Sequence, residues 1–356
     1  MEAKPKSLLV PCVRELAKKP QLKVPRQYVR TDEDFTLPTS TQYLPQVPVI
    51  DFKKLVYKDM ELQQLHHACK DWGFFQLINH GVSSELVEKL KLEIEELFNL
   101  PMEEKKFWQK ADEIEGFGQA FVVSEEQKLN WGDLFFMITL PTHLRNPNLF
   151  PKLPLPLRDA LEAYSLEMRN LSVKILELLE KALGMDPNDM KALVEEGYQS
   201  MRMNYYPPCP EPELAIGLNA HSDASALTIL LQINEMERLQ IRKDGAWIPV
   251  KPLPNAFVIN IGDSFEIVSN GIYRSIEHRV TVNSVKERVS IATFYDPKLD
   301  VEMGPAPSLI TAQNPPLFRR ICVADYFNRF LSRELRGKTN LDVMRVQNHG
   351  IGSEIR

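Results

Sequence analysis

The chain has 356 residues, enough to bury a large core in one domain or in two. Its 43 lysines and arginines face 48 aspartates and glutamates, a formal net charge of −5 without a long basic run, so neither nucleic acid nor an anionic membrane is expected as a partner. The four cysteines form no C-x-x-C pair, no stretch approaches the ~18 apolar residues of a membrane span, and the first residues lack a signal-peptide core, so we expect a cytoplasmic protein.

The first half of the chain is predicted to be an arm followed by helices and short strands. Residues 1–47 are rich in proline and charge, which is typical of a surface-wrapping arm, with a short helix near Val13. The further predicted elements are a strand at Val47–Asp51, a helix through Leu62, Leu65, Cys69 and Trp72, a strand at Phe74–Ile78, a helix capped by Ser83, and a long helix from Leu161 to Leu178 that ends at Gly184.

From about residue 200 the sequence changes to short β-rich runs separated by Pro, Gly, Asn and Asp. Such runs predict two stacked sheets, a jelly roll of the cupin kind. The predicted strands are Ala226–Ile233, Leu239–Arg242, Trp247–Val250, Ala256–Ile261, His278–Val282 and Glu287–Tyr295.

Three residues form a candidate metal site. His221 and Asp223 would project together from an extended segment, and a Greek-key path can bring the distant His278 beside them. Two imidazoles and one carboxylate suit non-haem iron(II) and leave coordination positions free for chemistry. The H-x-D pair alone would carry little weight, since a solitary histidine is more often a hydrogen-bonded core residue.

A candidate anion site follows ten residues after His278. In the strand Glu287–Tyr295, alternation puts Arg288, Ser290 and Phe294 on one face. A guanidinium beside a hydroxyl can hold a carboxylate by two hydrogen bonds. The alternative is that Arg288 only caps the strand or pairs with a neighbouring glutamate.

The motifs resemble those of the plant 2-oxoglutarate/iron(II)-dependent dioxygenases, and most closely the senescence-related and codeine O-demethylase-like branch. The resemblance spans nearly the whole chain, and its motifs are specific to the family rather than to a substrate. They are Trp72–Gln76, Asn79–Gly81, Met203–Pro210, His221–Asp223, Asn260–Asp263, Ser269–Gly271, Ser275–Arg279 and Arg288–Ser290.

The resemblance implies the cofactors and the residues that hold them. Iron(II) would be bound by His221, Asp223 and His278, with O2 as oxidant and ascorbate as reductant. The far carboxylate of 2-oxoglutarate would pair with Arg288 and Ser290, and Asn204 and Tyr206 would help to hold this cosubstrate. Asn204 and Tyr206 could equally well pack the turn before the following prolines.

The resemblance also implies the fold and the reaction. The α+β fold would be a double-stranded β-helix core buttressed by N-terminal and C-terminal helices. Its regions would be the arm (1–47), an N-terminal helical and strand region (48–198), the jelly-roll core (199–300) and a C-terminal helix and tail that cover the pocket (301–356). The enzyme would hydroxylate or O-demethylate a small plant specialised metabolite, an alkaloid, flavonoid or related phenolic, while 2-oxoglutarate yields succinate and CO2. We expect a monomer.

Aromatic residues are the candidate substrate contacts. An aromatic cleft would suit a planar, largely neutral natural product. The alternative is that these rings only anchor helices to the core. The candidates are Phe294, the C-terminal Tyr326, Phe327 and Phe330, and Phe121, Phe135 and Phe136 from the N-terminal half.

Two alternative functions stay open at this point. One is an iron oxidase with the same three ligands that does not use 2-oxoglutarate, and the other is a non-catalytic small-molecule receptor on the same fold. Three further histidines, His66, His67 and His80, are assigned structural roles. Arg238 stands where relatives usually carry glycine, so it would be strained if that position needed a positive φ.

Overall fold

The computed structural model describes residues 7–19, 23–30, 45–55, 59–109, 113–195 and 197–346. The predicted arm therefore lies partly outside the described residues, as does the end of the predicted C-terminal tail from residue 347 onward. The short helix expected near Val13 is present at Val13–Ala17. Within these ranges, no helix combines the length and apolar character that crossing a bilayer would require.

Ten α-helices lie in the described part of the chain. A π-helical turn, Ala68–Trp72, continues the third one up to Gly73. The helices are α1 (Val13–Ala17), α2 (Phe52–Leu55), α3 (Asp59–His67), α4 (Ser84–Asn99), α5 (Met102–Lys105), α6 (Leu155–Leu183), α7 (Pro187–Val194), α8 (Asp263–Val268), α9 (Val323–Leu331) and α10 (Thr339–Asp342), with short 3-10 turns at Arg26–Tyr28, Lys106–Trp108, Thr142–Leu144, Phe150–Lys152 and Pro307–Leu309.

The described strands form three sheets. The large sheet has the order β1-β2-β10-β7-β12-β5-β4-β3, the small sheet β6-β11-β8-β9, and the third sheet β13-β14. The strands are β1 (Val49–Asp51), β2 (Phe74–Ile78), β3 (Gly116–Gly118), β4 (Asp133–Leu140), β5 (Tyr198–Tyr206), β6 (Ile216–His221), β7 (Leu227–Gln232), β8 (Leu239–Lys243), β9 (Ala246–Pro249), β10 (Phe257–Ile261), β11 (His278–Thr281), β12 (Arg288–Asp296), β13 (Glu302–Met303) and β14 (Ile321–Cys322).

The large and small sheets pack face to face, which makes the core a jelly roll. Phe74 and Val258 of the large sheet share one buried cluster with Leu218, Ile241 and Val280 of the small sheet. Interdigitated side chains from two inner faces are the usual core of such a sandwich. The predicted α+β jelly-roll fold is confirmed.

Helices cover the outer face of the large sheet. Ile94 of α4 and Tyr164 and Met168 of α6 belong to the same buried cluster as Ile229 and Ile291 of the sheet. The predicted start of α4 and end of α6 are also present: the Ser83 hydroxyl accepts from the Leu86 amide, and Gly184 ends α6 with φ +66°. A left-handed residue at this position favours glycine, because glycine has no Cβ to clash.

Strands from the N-terminal region belong to the same sheet as the core strands. β1 to β4 flank β5, β7, β10 and β12 on both sides. The proposed divisions at residues 47, 198 and 300 therefore describe stretches of sequence within one sheet, and they stay a prediction.

The C-terminal segment pairs with the strand that ends at His221. The Gly337 amide donates to the Ala220 carbonyl (2.8 Å), and the Ser222 amide donates to the Gly337 carbonyl (3.3 Å). Gly337 has φ +51°, and a Cβ there would collide with the Glu277 carboxylate. The next residue, Lys338, forms a 2.7 Å ion pair with the buried Glu266. The last described turns are thus fixed to the edge strand β6 and to the helix α8.

Glu115 makes the stability of the fold depend on pH. Burial raises the pKa of its carboxyl group to about 7, although the Ile138 amide donates to it at 2.7 Å. Between the ordinary pKa and about 7, the folded state holds a proton that the unfolded state has released, so stability falls as pH rises. We expect Glu115→Gln to raise the free energy of unfolding by about 2–3 kcal/mol at pH 8 and to change it little at pH 4.

Urea denaturation at both pH values measures this difference, with the exposed Glu95→Gln as control. Equal effects of Glu115→Gln at pH 4 and pH 8 would contradict the prediction.

Candidate active site

His221 and His278 are brought together by one pair of neighbouring strands. β6 ends at His221 and β11 begins at His278, and antiparallel pairing sets the two residues directly opposite each other. Their ring centroids lie 4.3 Å apart. Strand pairing thus explains how two residues far apart in sequence present their imidazoles to one point.

Asp223 completes the cluster two residues after β6 ends. Its Oδ1 lies 3.5 Å from His221 Nε2 and 3.7 Å from His278 Nε2. One ligand atom from each residue lies within 4.8 Å of the others, and all three side chains are buried. Because nitrogen and oxygen ligands bind a first-row metal such as zinc at ~2.1 Å, atoms at these separations can share one ion.

Backbone carbonyls fix both imidazoles in the tautomer that a metal requires. His221 Nδ1 lies 2.8 Å from the Asn219 carbonyl, and His278 Nδ1 lies 3.2 Å from the Ile276 carbonyl. A carbonyl only accepts, so each Nδ1 carries the proton and each Nε2 presents its lone pair. Burial, with the His221 ring beside it, lowers the pKa of His278 to about 4, so this ring is neutral near pH 7. His221 Nε2 is buried without a hydrogen-bond partner.

Neighbouring polar groups orient the Asp223 carboxylate. Its Oδ2 accepts from Thr228 Oγ1 (2.7 Å) and from Asn260 Nδ2 (2.8 Å), which leaves Oδ1 turned toward the imidazoles. Burial alone would raise the pKa of Asp223, but the two histidines and Asn260 together bring it well below its ordinary value. The carboxylate is therefore ionised and has one oxygen free for a cation.

Arg288 is a buried cation without an anionic partner in the described part of the chain. Its guanidinium donates to Ser290 Oγ (3.0 Å) and Gln232 Oε1 (2.8 Å), while Nε makes no hydrogen bond. The residue is only 2% exposed, and no carboxylate in the described ranges pairs with it. Since an unpaired buried charge is costly, this geometry favours an anionic ligand at the guanidinium.

The predicted cosubstrate residues line one cavity with the metal cluster. Antiparallel pairing of β5 with β12 sets Tyr206 opposite Arg288 and Asn204 opposite Ser290. All four residues line a cavity that Asp223 and His278 also line. The Tyr206 ring centroid lies 5.5 Å from the Arg288 guanidinium carbon.

A second, larger cavity adjoins the cluster at His221 and Asp223. Its walls are mostly aromatic and apolar, and Arg202 and Phe294 line both cavities. The structure brings five of the seven aromatic candidates to this cavity: Phe121, Phe136, Phe294, Phe327 and Phe330. Phe121 and Phe330 touch, with ring centroids 5.3 Å apart.

Two of the aromatic candidates lie elsewhere and are corrected here. Phe135 points into the core from β4 and packs against Trp108 (ring centroids 5.7 Å apart), because alternation along the strand turns Phe136 to the cavity instead. Tyr326 is fully buried on the inner side of α9, where its hydroxyl donates to Asp263 Oδ2 at 2.9 Å.

The three histidines assigned structural roles and Arg238 lie away from the cluster. His80 accepts from the Val82 amide and packs on the Phe257 ring. His66 contacts the Tyr273 hydroxyl at 3.0 Å, and His67 lies near Asp71. Arg238 is not among the residues with positive φ, so the local turn accommodates an arginine without that strain.

Four polar residues of the site were not singled out from the sequence: Arg202, Thr228, Gln232 and Asn260. Asn260 belongs to the motif Asn260–Asp263, which was a signal without an assigned role. Gln232 lies opposite Ser290 in the sheet, a relation that only the register of β7 with β12 reveals.

Taken together, a buried pair of histidines with one carboxylate on a jelly roll, beside an unpaired arginine, defines the class of non-haem iron(II) oxygenases. The donor set fits the metal, since three deprotonated ligand atoms converge and one of them has no other partner.

Comparison with known proteins agrees with this class. Residues 197–297 match the 2OG-Fe(II) oxygenase superfamily, and residues 47–153 match the N-terminal region of the non-haem dioxygenases in morphine synthesis. The oxoglutarate-dependent flavonoid 7-O-demethylase 1 of Ocimum basilicum is 56% identical over 349 residues, covering 96% of this chain and 93% of that protein. Codeine O-demethylase of Papaver somniferum is 52% identical, covering 95% and 97%.

A solved structure extends the likeness to three dimensions. JOX2 in complex with 2OG, Fe and JA has a TM-score of 0.86 and 36% identity, covering 95% of this chain and 98% of that chain. The chain belongs to the plant 2-oxoglutarate/iron(II)-dependent dioxygenase family. It is an oxidoreductase that uses iron(II) and 2-oxoglutarate with a small-molecule substrate.

Proposed function

We propose that the enzyme hydroxylates or O-demethylates a plant specialised metabolite, an alkaloid, flavonoid or related phenolic. The similar proteins named flavonoid 7-O-demethylase and codeine O-demethylase support this substrate class. The aromatic walls of the larger cavity support it independently, because planar rings stack well on phenylalanine side chains.

The single observation that carries the proposal is the position of the unpaired Arg288 in a cavity shared with Asp223 and His278. In this proposal His221, Asp223 and His278 would bind iron, which when bound would supply oxidation of a substrate C–H bond by O2, coupled to oxidative decarboxylation of 2-oxoglutarate to succinate and CO2. Arg288 and Ser290 bind the far carboxylate of 2-oxoglutarate.

The other residues of the site position and enclose the reactants. Asn204 and Tyr206 border the cosubstrate beside Arg288. Substrate contacts are assigned to Phe121, Phe294 and Phe330, with Phe136 and Phe327 in place of Phe135 and Tyr326. These rings exclude water from the carbon that is oxidised, and the position of that carbon decides between hydroxylation and loss of a methyl group as formaldehyde.

The test is a substrate screen with the purified enzyme. The protein is loaded with iron(II) under anaerobic conditions, and this loading is needed because zinc binds nitrogen and oxygen ligands more tightly than iron(II) and can occupy the site. It is then supplied with 2-oxoglutarate, ascorbate and air. The panel contains O-methylated flavonoids and alkaloids. Succinate, formaldehyde and the product mass are measured, and substrate-dependent succinate with loss of a methyl group or gain of one oxygen is expected.

Other outcomes separate the alternatives. Product formed without succinate would identify an oxidase that does not use 2-oxoglutarate. Tight binding of a panel compound without turnover would identify a receptor.

We further propose a monomer in the cytoplasm. All four cysteines are free, and three of them are buried, as expected for a protein that keeps reduced thiols. Light scattering of the purified protein and a fluorescent fusion in plant cells test the two statements.

A further inference from the structure

The larger cavity carries one carboxyl group that the proposed iron and cosubstrate sites do not use. Asp296, the last residue of β12, lines this cavity but not the smaller one that holds Arg288. The residue is 1% exposed. It stands out because the walls around it are largely apolar.

Neither carboxyl oxygen of Asp296 has a hydrogen-bond partner among the described residues. The nearby Ala226 amide already donates to the Tyr295 carbonyl at 3.1 Å, and no lysine, arginine or histidine in the described ranges pairs with the carboxyl group. Leaving such a group buried and unpaired costs free energy, so it is a position where a ligand group would be stabilised. Burial first, and the nearby Asp223 charge second, raise the pKa of Asp296 well above its ordinary value.

One face of β12 runs from the cosubstrate cavity to the larger cavity. Arg288, Ser290, Phe294 and Asp296 alternate onto the same side of β12, the first two at the cosubstrate cavity and Phe294 at both cavities. With a rise of ~3.3 Å per residue, Asp296 lies about 7 Å beyond Phe294 along the strand. His221 and Asp223 line the same cavity, so a planar molecule on the Phe294 ring could contact Asp296 while it lies beside the iron ligands.

The charges around the cavity decide what kind of group binds there. The Arg202 guanidinium carbon lies 5.6 Å from the Phe294 ring centroid, and its buried Nε has no partner. This cation beside the same cavity disfavours an ammonium ligand. A neutral group that both donates and accepts hydrogen bonds suits the site.

We propose that Asp296 binds the substrate in the larger cavity through hydrogen bonds to a neutral oxygen-bearing group such as a phenolic hydroxyl, and so selects hydroxylated aromatic rings over protonated amines. The inference rests on the proposed function and deepens it by naming the substrate class. Asp296 thereby acts as a specificity-determining residue in substrate binding.

The experiment compares Asp296→Asn with Asp296→Leu. Asparagine keeps one donor and one acceptor in nearly the same shape, whereas leucine removes both. The probes are the monohydroxylated isomers of a methoxyflavone and the same methoxyflavone without a hydroxyl. Dissociation constants are measured anaerobically with the enzyme loaded with iron(II) and 2-oxoglutarate, and kcat/KM is measured in air. Asp300→Asn, whose side chain is 71% exposed, is the matched control.

The wild-type enzyme and Asp296→Asn are expected to bind one hydroxylated isomer at least about 10-fold more tightly than the hydroxyl-free probe, since an unmet buried hydrogen bond costs about 1–3 kcal/mol. Asp296→Leu is expected to lose this preference while keeping the wild-type KM for 2-oxoglutarate, and its melting temperature should be no lower than that of the wild type.

Two results would overturn the inference. One is an unchanged preference in Asp296→Leu, and the other is tighter wild-type binding of a methoxylated tertiary amine that Asp296→Asn abolishes. The binding data also separate this inference from the proposed function: binding that follows the expected pattern, without succinate, leaves Asp296 as a ligand-binding residue and refutes the dioxygenase reaction on these compounds.

Discussion

Asp223→Ala is expected to abolish substrate-dependent succinate formation and stable iron(II) binding. Asp223 is the only anion among the three proposed ligands, and its Oδ1 lies within 4 Å of both imidazoles. Loss of a group that merely orients a ligand typically costs 10–100-fold in metal affinity or activity, so loss of the ligand itself should exceed this range. Anaerobic equilibrium dialysis against iron(II), followed by a succinate assay, measures both effects.

Thr228→Val provides the graded comparison for this prediction. It removes the 2.7 Å hydrogen bond to Asp223 Oδ2 but leaves the ligand in place, so iron affinity should fall only about 10–100-fold. The exposed Asp300→Ala should behave like the wild type. Wild-type iron affinity in Asp223→Ala would refute the metal site.

Arg288→Met is expected to raise the KM for 2-oxoglutarate on the order of 30- to 5,000-fold. The estimate follows from about 2–5 kcal/mol for removing one partner of a buried, hydrogen-bonded charge pair. Because the guanidinium has no counter-ion among the described residues, its removal should not lower the melting temperature without cosubstrate. Adding 2-oxoglutarate should then stabilise the wild type but not the variant.

Steady-state kinetics at varied 2-oxoglutarate concentration measures the KM. Differential scanning fluorimetry with and without 2-oxoglutarate measures the melting temperature and its increase on cosubstrate binding. Arg242→Met is the control, since this arginine is 40% exposed and pairs with Glu277 on the small sheet. A variant at Arg288 that keeps the wild-type KM would show that the anionic ligand binds elsewhere.

Much of the fold and the centre of the site followed from local patterns. The strand Arg288–Asp296 begins one residue after the predicted start, and its alternation places Arg288, Ser290 and Phe294 together as expected. Period-2 alternation is strict, so a strand that is recognised also reveals which residues share a face. The pairing of His221 with His278, in contrast, depends on sheet register, for which the family resemblance was the only guide.

The substrate cavity was predicted less well, for two physical reasons. Phe135 and Phe136 are chemically identical neighbours, and only the packing of the sheet determines that Phe136 turns to the cavity. On α9, the hydroxyl of Tyr326 donates a hydrogen bond to the buried Asp263. Phe327 and Phe330 of the same helix line the larger cavity instead. Asp296 was not predicted as a site residue, because an aspartate before proline is also typical of a turn.

The pairing of Gly337 with Ala220 and Ser222 affects how the protein is made. The strand that ends at His221 leaves the ribosome long before its partner at Gly337 is synthesised. Until then one edge of that strand stays open beside the nascent histidine, and contacts so distant in sequence form slowly. Metal loading of the finished site is therefore expected to follow the formation of this late contact.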